Sequence, residues 1–384
     1  MRKIDIAHVY PGAGGAAGMY TDEIYNSLKP KFSQICVVNV YYPFNYGEKI
    51  FYRFTEMVGM NALRKYPKFR LWIRLFELIL GLIRTYMIIK INRPRLVNYS
   101  MTSNLYVEYL FIKLLKLTSK SKIMITCHDV LPFETHYTNA TKEVKKRLKF
   151  FDLADFLLTH NDNSKEDLVN TYSVNPNKIR SHNFPVMDLQ KFCELHASKQ
   201  VSMPVTTRKI LFVGHARTEK GLDVLLTAWA LGVPENLKLT VACNIPRGTQ
   251  YKFGDLIGKN FTLIENFLSD EEYAFHISQS DFVILPYIRG TNSGIPSSII
   301  SLGAIPVCSD IPMFRNNDLL GEDDLFVGGD PVSLSEKLID LSKLSSGQIN
   351  DRKLILALRY SSYRDEFVSS IINVYQEVLA DHNF

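Results

Sequence analysis

Arg208-Lys209-Ile210-Leu211-Phe212-Val213-Gly214-His215-Ala216-Arg217-Thr218-Glu219-Lys220-Gly221-Leu222-Asp223 is the stretch on which the fold turns. Residues 208–213 read as a strand, 214–219 as a loop and 220–231 as a helix. The same opening stands at the start of the chain. There residues 3–10 form an apolar strand and Pro11-Gly12-Ala13-Gly14-Gly15-Ala16-Ala17-Gly18 a glycine loop, after which Tyr20, Ile24 and Leu28 keep helical spacing. From each opening, strands and helices alternate. Strands are predicted at 35–41, 95–100, 122–126 and 156–159 in the first half, and at 237–242, 261–265, 282–285 and 305–308 in the second. Their near-continuous apolar content calls for cover on both faces. The expected class is therefore α/β, with two doubly wound Rossmann-like domains facing each other across a cleft. Periodicity fades over 184–207, which contains Pro185 and Pro204. The expected organisation is a first domain at 1–185, a linker at 186–207, a second domain at 208–360 and a terminal helix at 361–384. Phe367, Ile371, Val374, Val378 and Leu379 mark that helix. Ligands are expected at the carboxyl ends of the strands.

Composition narrows the classes. Of 384 residues, 46% are hydrophobic and 22% charged, which supplies a core and excludes a mainly disordered chain. The five cysteines are an odd number without a C-x-x-C pair, so neither a disulfide framework nor a zinc site is expected, and a reducing, cytoplasmic setting is. Met1-Arg2-Lys3 is interrupted by Asp5 and runs into a strand, unlike a secretory leader. The net charge of +6 is uneven: residues 1–200 carry 29 Lys and Arg against 17 Asp and Glu, while 201–384 are net −6. A basic first half suits an anionic partner, such as nucleic acid, an anionic membrane surface or a phosphorylated substrate; a merely solvated surface is the other reading. Residues 71–90 are strongly apolar but hold Arg74, Glu77 and Arg84, with Gly81 between. That reads as a helix packed in the protein or laid on a membrane, not one that crosses it.

Gly12-x-Gly14-x-x-x-Gly18 departs by one position from a dinucleotide fingerprint, and Asn39-Val40-Tyr41-Tyr42-Pro43 offers no acid for a ribose. Gly14 and Gly15 read instead as a tight turn or a close backbone approach to a phosphate or sugar. In the second half, Arg217 and Lys220 fall at the carboxyl edge of the sheet. Two cations there suit a diphosphate, and a cation at a helix start opposes the helix dipole unless an anion sits between; solvated charges are the alternative. Leu285-Pro286-Tyr287-Ile288-Arg289-Gly290-Thr291-Asn292-Ser293-Gly294-Ile295-Pro296 ends a strand, forms a small polar loop and begins a helix with Pro296 first.

Taken in order, these stretches resemble the retaining GT-B glycosyltransferases of the fourth family, the large group of nucleotide-sugar-dependent hexosyltransferases. The likeness rests on Val213-Gly214 with Arg217 and Lys220-Gly221-Leu222-Asp223. It rests also on Pro286-Tyr287 with Thr291-Asn292-Ser293-Gly294-Ile295-Pro296, Ser301-Leu302-Gly303 and Pro306-Val307. Cys127-His128-Asp129-Val130-Leu131-Pro132 looks like the first-lobe histidine loop, and Ala154-Asp155-Phe156-Leu157-Leu158-Thr159-His160 like the last first-lobe strand. The likeness spans most of the chain and is weakest over 40–95.

The resemblance implies that Arg217 and Lys220 hold a donor diphosphate beside Gly214. It implies that Thr291, Asn292, Ser293 and Gly294 bind the distal phosphate and sugar, and that Asn266 and Phe267 lie near the base. Gly14 and Gly15 would approach the donor, and His128 would touch the transferred sugar, a structural loop histidine being the alternative. Asp129 would aid the acceptor hydroxyl or cap a helix. The terminal helix would cross back to the first lobe. The implied activity is retaining transfer of a hexosyl group from a UDP- or GDP-linked sugar, which serves as co-substrate with no further cofactor. No D-x-D occurs, so no metal is expected. The implied acceptor is a glycan or lipid-linked saccharide of bacterial surface polysaccharide assembly, met in the cytoplasm or peripherally at the inner face of an anionic cell membrane. No nucleic-acid motif is present. One departure stands out: where the family usually has two glutamates, this chain has Thr291 and Ile299. It resembles a variant subgroup with a T-Q-S-G-type loop, and a non-catalytic GT-B subunit or sugar-nucleotide-binding module stays open.

Overall fold

The structure is a computed structural model. It describes residues 4–12, 16–40, 50–54, 66–100, 105–128, 130, 140–187, 189–193, 207–246, 248–254, 256, 260–290 and 294–381. The chain divides into two compact units, one made of Met1–Pro185 with Glu366–Phe384 and the other of Val186–Asp365.

In the first unit the chain runs β1 (Ile6–Tyr10), α1 (Ala16–Leu28), β2 (Gln34–Asn39), β3 (Ile50–Phe54), α2 (Pro67–Asn92), β4 (Leu96–Ser100), α3 (Leu105–Thr118), β5 (Lys122–Thr126), α4 (Ala140–Leu153), β6 (Phe156–Thr159), α5 (Asp162–Tyr172) and β7 (Ile179–Ser181). The strands form one sheet in the order β3-β2-β1-β4-β5-β6-β7, with every neighbouring pair parallel. β1, β2 and β4 are buried along their whole length. Cover on both faces is what permits their unbroken apolar runs. The order reverses direction between β1 and β4, which is the switch point where open α/β sheets bind ligands.

The second unit holds α6 (Gln190–Cys193), β8 (Arg208–His215), α7 (Leu222–Ala230), β9 (Leu237–Asn244), β10 (Phe261–Glu265), α8 (Asp270–Ser278), β11 (Phe282–Leu285), α9 (Ile295–Ser301), β12 (Ile305–Asp310), α10 (Pro312–Arg315), β13 (Leu325–Val327), α11 (Pro331–Lys343) and the first part of α12 (Ser346–Ala380). Its sheet is also parallel throughout, in the order β10-β9-β8-β11-β12-β13, so its switch point lies between β8 and β11. The stretch before β8 joins this unit. Met187 N donates to Ser297 Oγ at 3.0 Å, and Gln190 Nε2 donates to the Ser301 carbonyl at 2.8 Å.

The last part of α12 belongs to the first unit, and polar pins hold it there. Asn98 Nδ2 on β4 donates to Tyr375 Oη at 2.6 Å, and Thr126 Oγ1 fixes the other side of that amide at 2.8 Å. Arg95 donates to the Leu379 carbonyl at 2.8 Å and Lys122 to the Val378 carbonyl at 3.2 Å. Cations on the last carbonyls of a helix satisfy groups the helix leaves unpaired and complement its dipole.

Two expectations need correction. The helix predicted over 220–231 begins later, because Thr218–Lys220 form a 3-10 turn and Gly221 breaks it with φ +64°. Pro296 is the second residue of α9, not the first.

Candidate functional site

In the second unit, the carboxyl ends of β8 and β11 are locked together at the switch point. Ile288 N donates to the Glu219 carbonyl at 3.0 Å. Gly221 packs so closely that a Cβ there would lie 1.8 Å from the Pro286 carbonyl oxygen, which, with its positive φ, restricts the position to glycine. This junction puts Lys220 Nζ 3.7 Å from the centre of the Tyr287 ring. The ring face favours the ammonium.

Two cations and a histidine crowd this loop. Arg217 Nε lies 3.1 Å from Glu219 Oε1, and the same carboxylate favours the charge on Lys220. Burial, and then the Arg217 charge, pulls Lys220 down to about 8. Burial, and then Arg217 and Lys220, also holds His215 below the ordinary histidine range. Groups that gain positive charge crowd one loop and repel each other. An anion between them would relieve that repulsion and raise their proton affinity. Gly214, with φ +115°, leaves open space where a side chain would stand, so its backbone is bare. At the end of β10, Asn266 Oδ1 accepts from Phe267 N at 2.8 Å, and the exposed Phe267 ring meets His215 edge-on with centroids 5.7 Å apart. Gly214, Asn266, Phe267, Arg217 and Lys220 thus share one edge of this sheet. Gly294 opens α9, and its carbonyl accepts from the hydroxyls of Ser297 at 2.8 Å and Ser298 at 3.1 Å. Thr291, Asn292 and Ser293 lie outside the described residues. Ile299 is fully buried and packed with the core of this unit.

The carboxyl end of the first sheet is different. His128 follows β5, His160 follows β6 and His182 follows β7, and Tyr20 of α1 packs against all three rings. Tyr20 Oη and His182 Nε2 are 2.8 Å apart, and His182 Nδ1 is 2.6 Å from the Asn183 carbonyl. A carbonyl only accepts, so Nδ1 carries the proton and Nε2 accepts from the tyrosine. His128 Nδ1 lies 3.1 Å from His160 Nε2. Burial, and then the His182 ring, pushes His128 down to about 4. Burial also holds His160 well below its usual range and puts His182 at about 4. All three are neutral at ordinary pH. His128 Nε2 is closed to solvent and has no hydrogen-bond partner among the described residues. A buried orphan of this kind is what a ligand hydroxyl would satisfy. Gly14, Gly15 and Asp129 lie outside the described residues. Gly12, from the same glycine loop, is explained within the fold: a Cβ there would strike Tyr10 Oη at 2.4 Å.

Sequence reasoning passed over Tyr287, Tyr20 and His182. Tyr287 stood inside a quoted motif, next to Pro286, and was a legible candidate. Tyr20 and His182 had no local signal. Among the described residues, no group of three or more His, Cys, Asp or Glu is arranged to hold a metal ion.

No protein-family model matches the chain, and no curated protein matches it in sequence. Solved structures do match. Sucrose-phosphate synthase from Thermosynechococcus elongatus superposes with a TM-score of 0.70 at 11% identity, covering 98% of this chain and 100% of its own. This is the GT-B fold. Anabaena HepE, solved in complex with UDP and glucose, matches with a TM-score of 0.64 at 12% identity over 98% of this chain and 99% of its own. A glycosyltransferase from Rickettsia africae matches with a TM-score of 0.62 at 16% identity over 99% of this chain and 100% of its own. The GT-B likeness therefore extends over nearly the full length of each chain.

Proposed function

We propose that this chain is a retaining, metal-independent hexosyltransferase that takes a UDP- or GDP-linked sugar and transfers its hexosyl group to a saccharide acceptor. The observation that carries the reading is the half-buried cation at the β8/β11 switch point, Lys220, whose proton affinity is depressed by burial and then by Arg217. Such a charge favours an anionic ligand, and a diphosphate suits two neighbouring cations. Support comes from the full-length likeness to sucrose-phosphate synthase and to HepE with its UDP and glucose.

In this reading Lys220 and Arg217 grip the diphosphate, the exposed Phe267 ring lies beside the base, and the backbone at Gly214 and Gly294 approaches phosphate and sugar. Thr291, Asn292 and Ser293 complete the distal contacts, and Gly14 and Gly15 close on the donor. As the bond from the sugar carbon to the phosphate oxygen breaks, its electron pair passes to the phosphate and the sugar gains oxocarbenium character. Preorganised cations stabilise that leaving charge without reorganisation. The acceptor hydroxyl attacks from the side the phosphate leaves, and its proton passes to the departing phosphate oxygen. His128 stays neutral and hydrogen-bonds a sugar hydroxyl through Nε2; Asp129 aids the acceptor. The acceptor is proposed to be a lipid-linked saccharide of bacterial surface polysaccharide assembly, used at the cytoplasmic side of the membrane.

Buried Ile299 favours a second reading, a sugar-nucleotide-binding module without transfer, because the position of the usual second glutamate offers a ribose nothing. One experiment addresses both. Thermal unfolding is measured against a panel of nucleotide sugars, where a ligand at 100 times its dissociation constant adds about 2.7 kcal/mol. The best stabiliser is then assayed for transfer with anomer analysis of the product. A shift with retained anomeric configuration is expected. A shift without transfer selects the binding module, and no shift with any nucleotide sugar refutes the donor site.

A further inference from the structure

We propose that His160 is a positioning residue: through one hydrogen bond to His128 Nδ1 it fixes the His128 tautomer, so that His128 Nε2 meets the donor as a bare acceptor and takes the hydrogen of a sugar hydroxyl. The proposal rests on the reading that His128 touches the transferred sugar. It adds how that nitrogen is prepared and which residue prepares it.

Strand register brings the pair together. β5 and β6 are parallel neighbours with Thr126 opposite Leu158. The ladder runs one step further, because Cys127 N donates to the Leu158 carbonyl at 2.9 Å. His128 and His160 each stand two residues beyond the last pair, and residues two apart along a strand share a face. Their rings meet there: His128 Nδ1 is 3.1 Å from His160 Nε2, with centroids 5.1 Å apart. The backbone after His160 is fixed at once, since Asn161 caps α5 and its side chain accepts from Ser164 N at 2.7 Å. His160 itself is 1% exposed, so its ring is a rigid partner for the less enclosed His128.

Counting protons gives the pair a polarity. Both rings are neutral at ordinary pH because burial opposes their charge, so together they carry two ring protons. One proton lies in the bridge, since two bare nitrogens or two N–H groups facing each other would repel. The other sits on an outer nitrogen, His128 Nε2 or His160 Nδ1. Both of these are closed to solvent and without a partner among the described residues. The surroundings of His160 decide between them. It meets the rings of Tyr20, His182 and Phe184 edge to face, with centroids 4.7, 5.5 and 5.1 Å away. Aromatic faces are negative; they receive an N–H and repel a lone pair. No hydrogen is left over for a bare His160 Nδ1 either, because the Tyr20 hydroxyl donates to His182 Nε2 and the His182 N–H to the Asn183 carbonyl. The proton therefore stays on His160 Nδ1, His128 Nδ1 donates to His160 Nε2, and His128 Nε2 keeps a free lone pair. A buried acceptor without a donor is costly until a hydroxyl supplies one. A carboxylate in the place of His160 would fix the same tautomer but draw a positive charge onto His128; a neutral imidazole does not.

Isotopic labelling of the histidine nitrogens, read by NMR on the full chain near neutral pH, reports which nitrogen carries the proton, because bare and protonated ring nitrogens resonate far apart. His128 is assigned from the signals lost in His128→Gln. The wild type should show His128 protonated at Nδ1 and bare at Nε2, a result that needs no variant of His160 to fold. His160→Phe keeps a ring in the enclosure but removes the acceptor, and His128 should then show both tautomers. His160→Gln carries an amide oxygen to the place of Nε2 and should restore the single tautomer. Activity should follow. Nucleotide release from UDP-glucose or GDP-mannose, whichever stabilises the protein more, should fall about tenfold in His160→Phe and recover to within about threefold in His160→Gln. His128→Ala combined with His160→Phe should lose no more than His128→Ala alone, as expected of groups that act as one unit. A proton on His128 Nε2 in the wild type, or a His128 tautomer indifferent to His160→Phe, overturns the proposal and leaves the donor-site reading standing. Additive losses in the double variant do the same. Full-rate nucleotide release by His128→Ala overturns the reading that puts a sugar hydroxyl at Nε2, and the proposal with it.

Discussion

The two sheets share a topology and use it in opposite ways. Beyond β8 and β11 the second unit keeps a real charge, Lys220, half-buried against the Tyr287 ring and repelled by Arg217. Beyond β5, β6 and β7 the first unit keeps three imidazoles so desolvated that none is charged at neutral pH. One edge is built to attract an anion; the other is built to fix rings and, among the described residues, leaves two imidazole nitrogens without a partner, His128 Nε2 and His160 Nδ1. The lesson is that the carboxyl edge of a Rossmann-like sheet fixes where a ligand goes, while burial and neighbouring charge decide whether it is held electrostatically or by hydrogen-bond geometry.

Substitutions at the two edges sharpen that contrast. Lys220→Ala should have the largest effect, lowering transfer by about 100- to 1,000-fold, as expected when a group that stabilises transition-state charge is removed. Its melting temperature should hold, because the lysine is a desolvated charge rather than a core contact. Turnover near the wild-type level would erase the distinction between the units. Gly221→Ala tests the scaffold beneath the same charge: positive φ and collision with the Pro286 carbonyl should cost about 3 kcal/mol, measured by denaturant unfolding.

The first unit should respond more mildly. His128→Ala removes one neutral hydrogen bond and should lower kcat/KM roughly tenfold, with partial rescue by His128→Gln. A collapse as deep as that of Lys220→Ala would mean that His128 does more than orient. Tyr20→Phe leaves His182 Nε2 without its donor at 2.8 Å and should destabilise by about 1 kcal/mol. The pH profile separates the units as well. A lysine drawn down to about 8 is charged below that pH and neutral above it, so diphosphate affinity should be full at pH 7 and fall as pH rises past about 8. A bound diphosphate raises the proton affinity, so in the complex the break moves upward and never downward. Between pH 5 and 8 His128, at about 4, should contribute no inflection.

Much of the fold was readable because the central strands are covered on both sides and advertise it. The strand predicted at 122–126 is β5, that at 156–159 is β6, that at 261–265 is β10 and that at 282–285 is β11, residue for residue. The edges were not readable. β3 carries Arg53 one residue before its end, and β7 and β13 span three residues each, too few to show a period. The helix predicted from Lys220 overran Gly221 because Leu222, Leu225, Leu226 and Trp229 keep perfect helical spacing, and spacing is blind to a left-handed residue at the start. In the candidate site, Arg217 and Lys220 were legible since the cation pair, the strand and the glycine are contiguous. Tyr20 and His182 were not: they are 162 residues apart, and only the folded sheet brings them to 2.8 Å. Residues 71–90 were legible as an apolar helix that does not span a membrane. Which of its faces stays uncovered is a property of packing, and no periodicity reports it.

The central claim is that an anionic donor is held by a partly desolvated lysine at the β8/β11 switch point. Calorimetric titration of UDP and GDP into the wild-type chain and into Lys220→Ala, each at pH 7 and pH 9.5, tests it most directly. The account expects one of the two nucleotides to bind the wild type at pH 7, to bind at least tenfold more weakly at pH 9.5, and to bind Lys220→Ala weakly at both. Equal affinity for wild type and Lys220→Ala, with no dependence on pH, would contradict it.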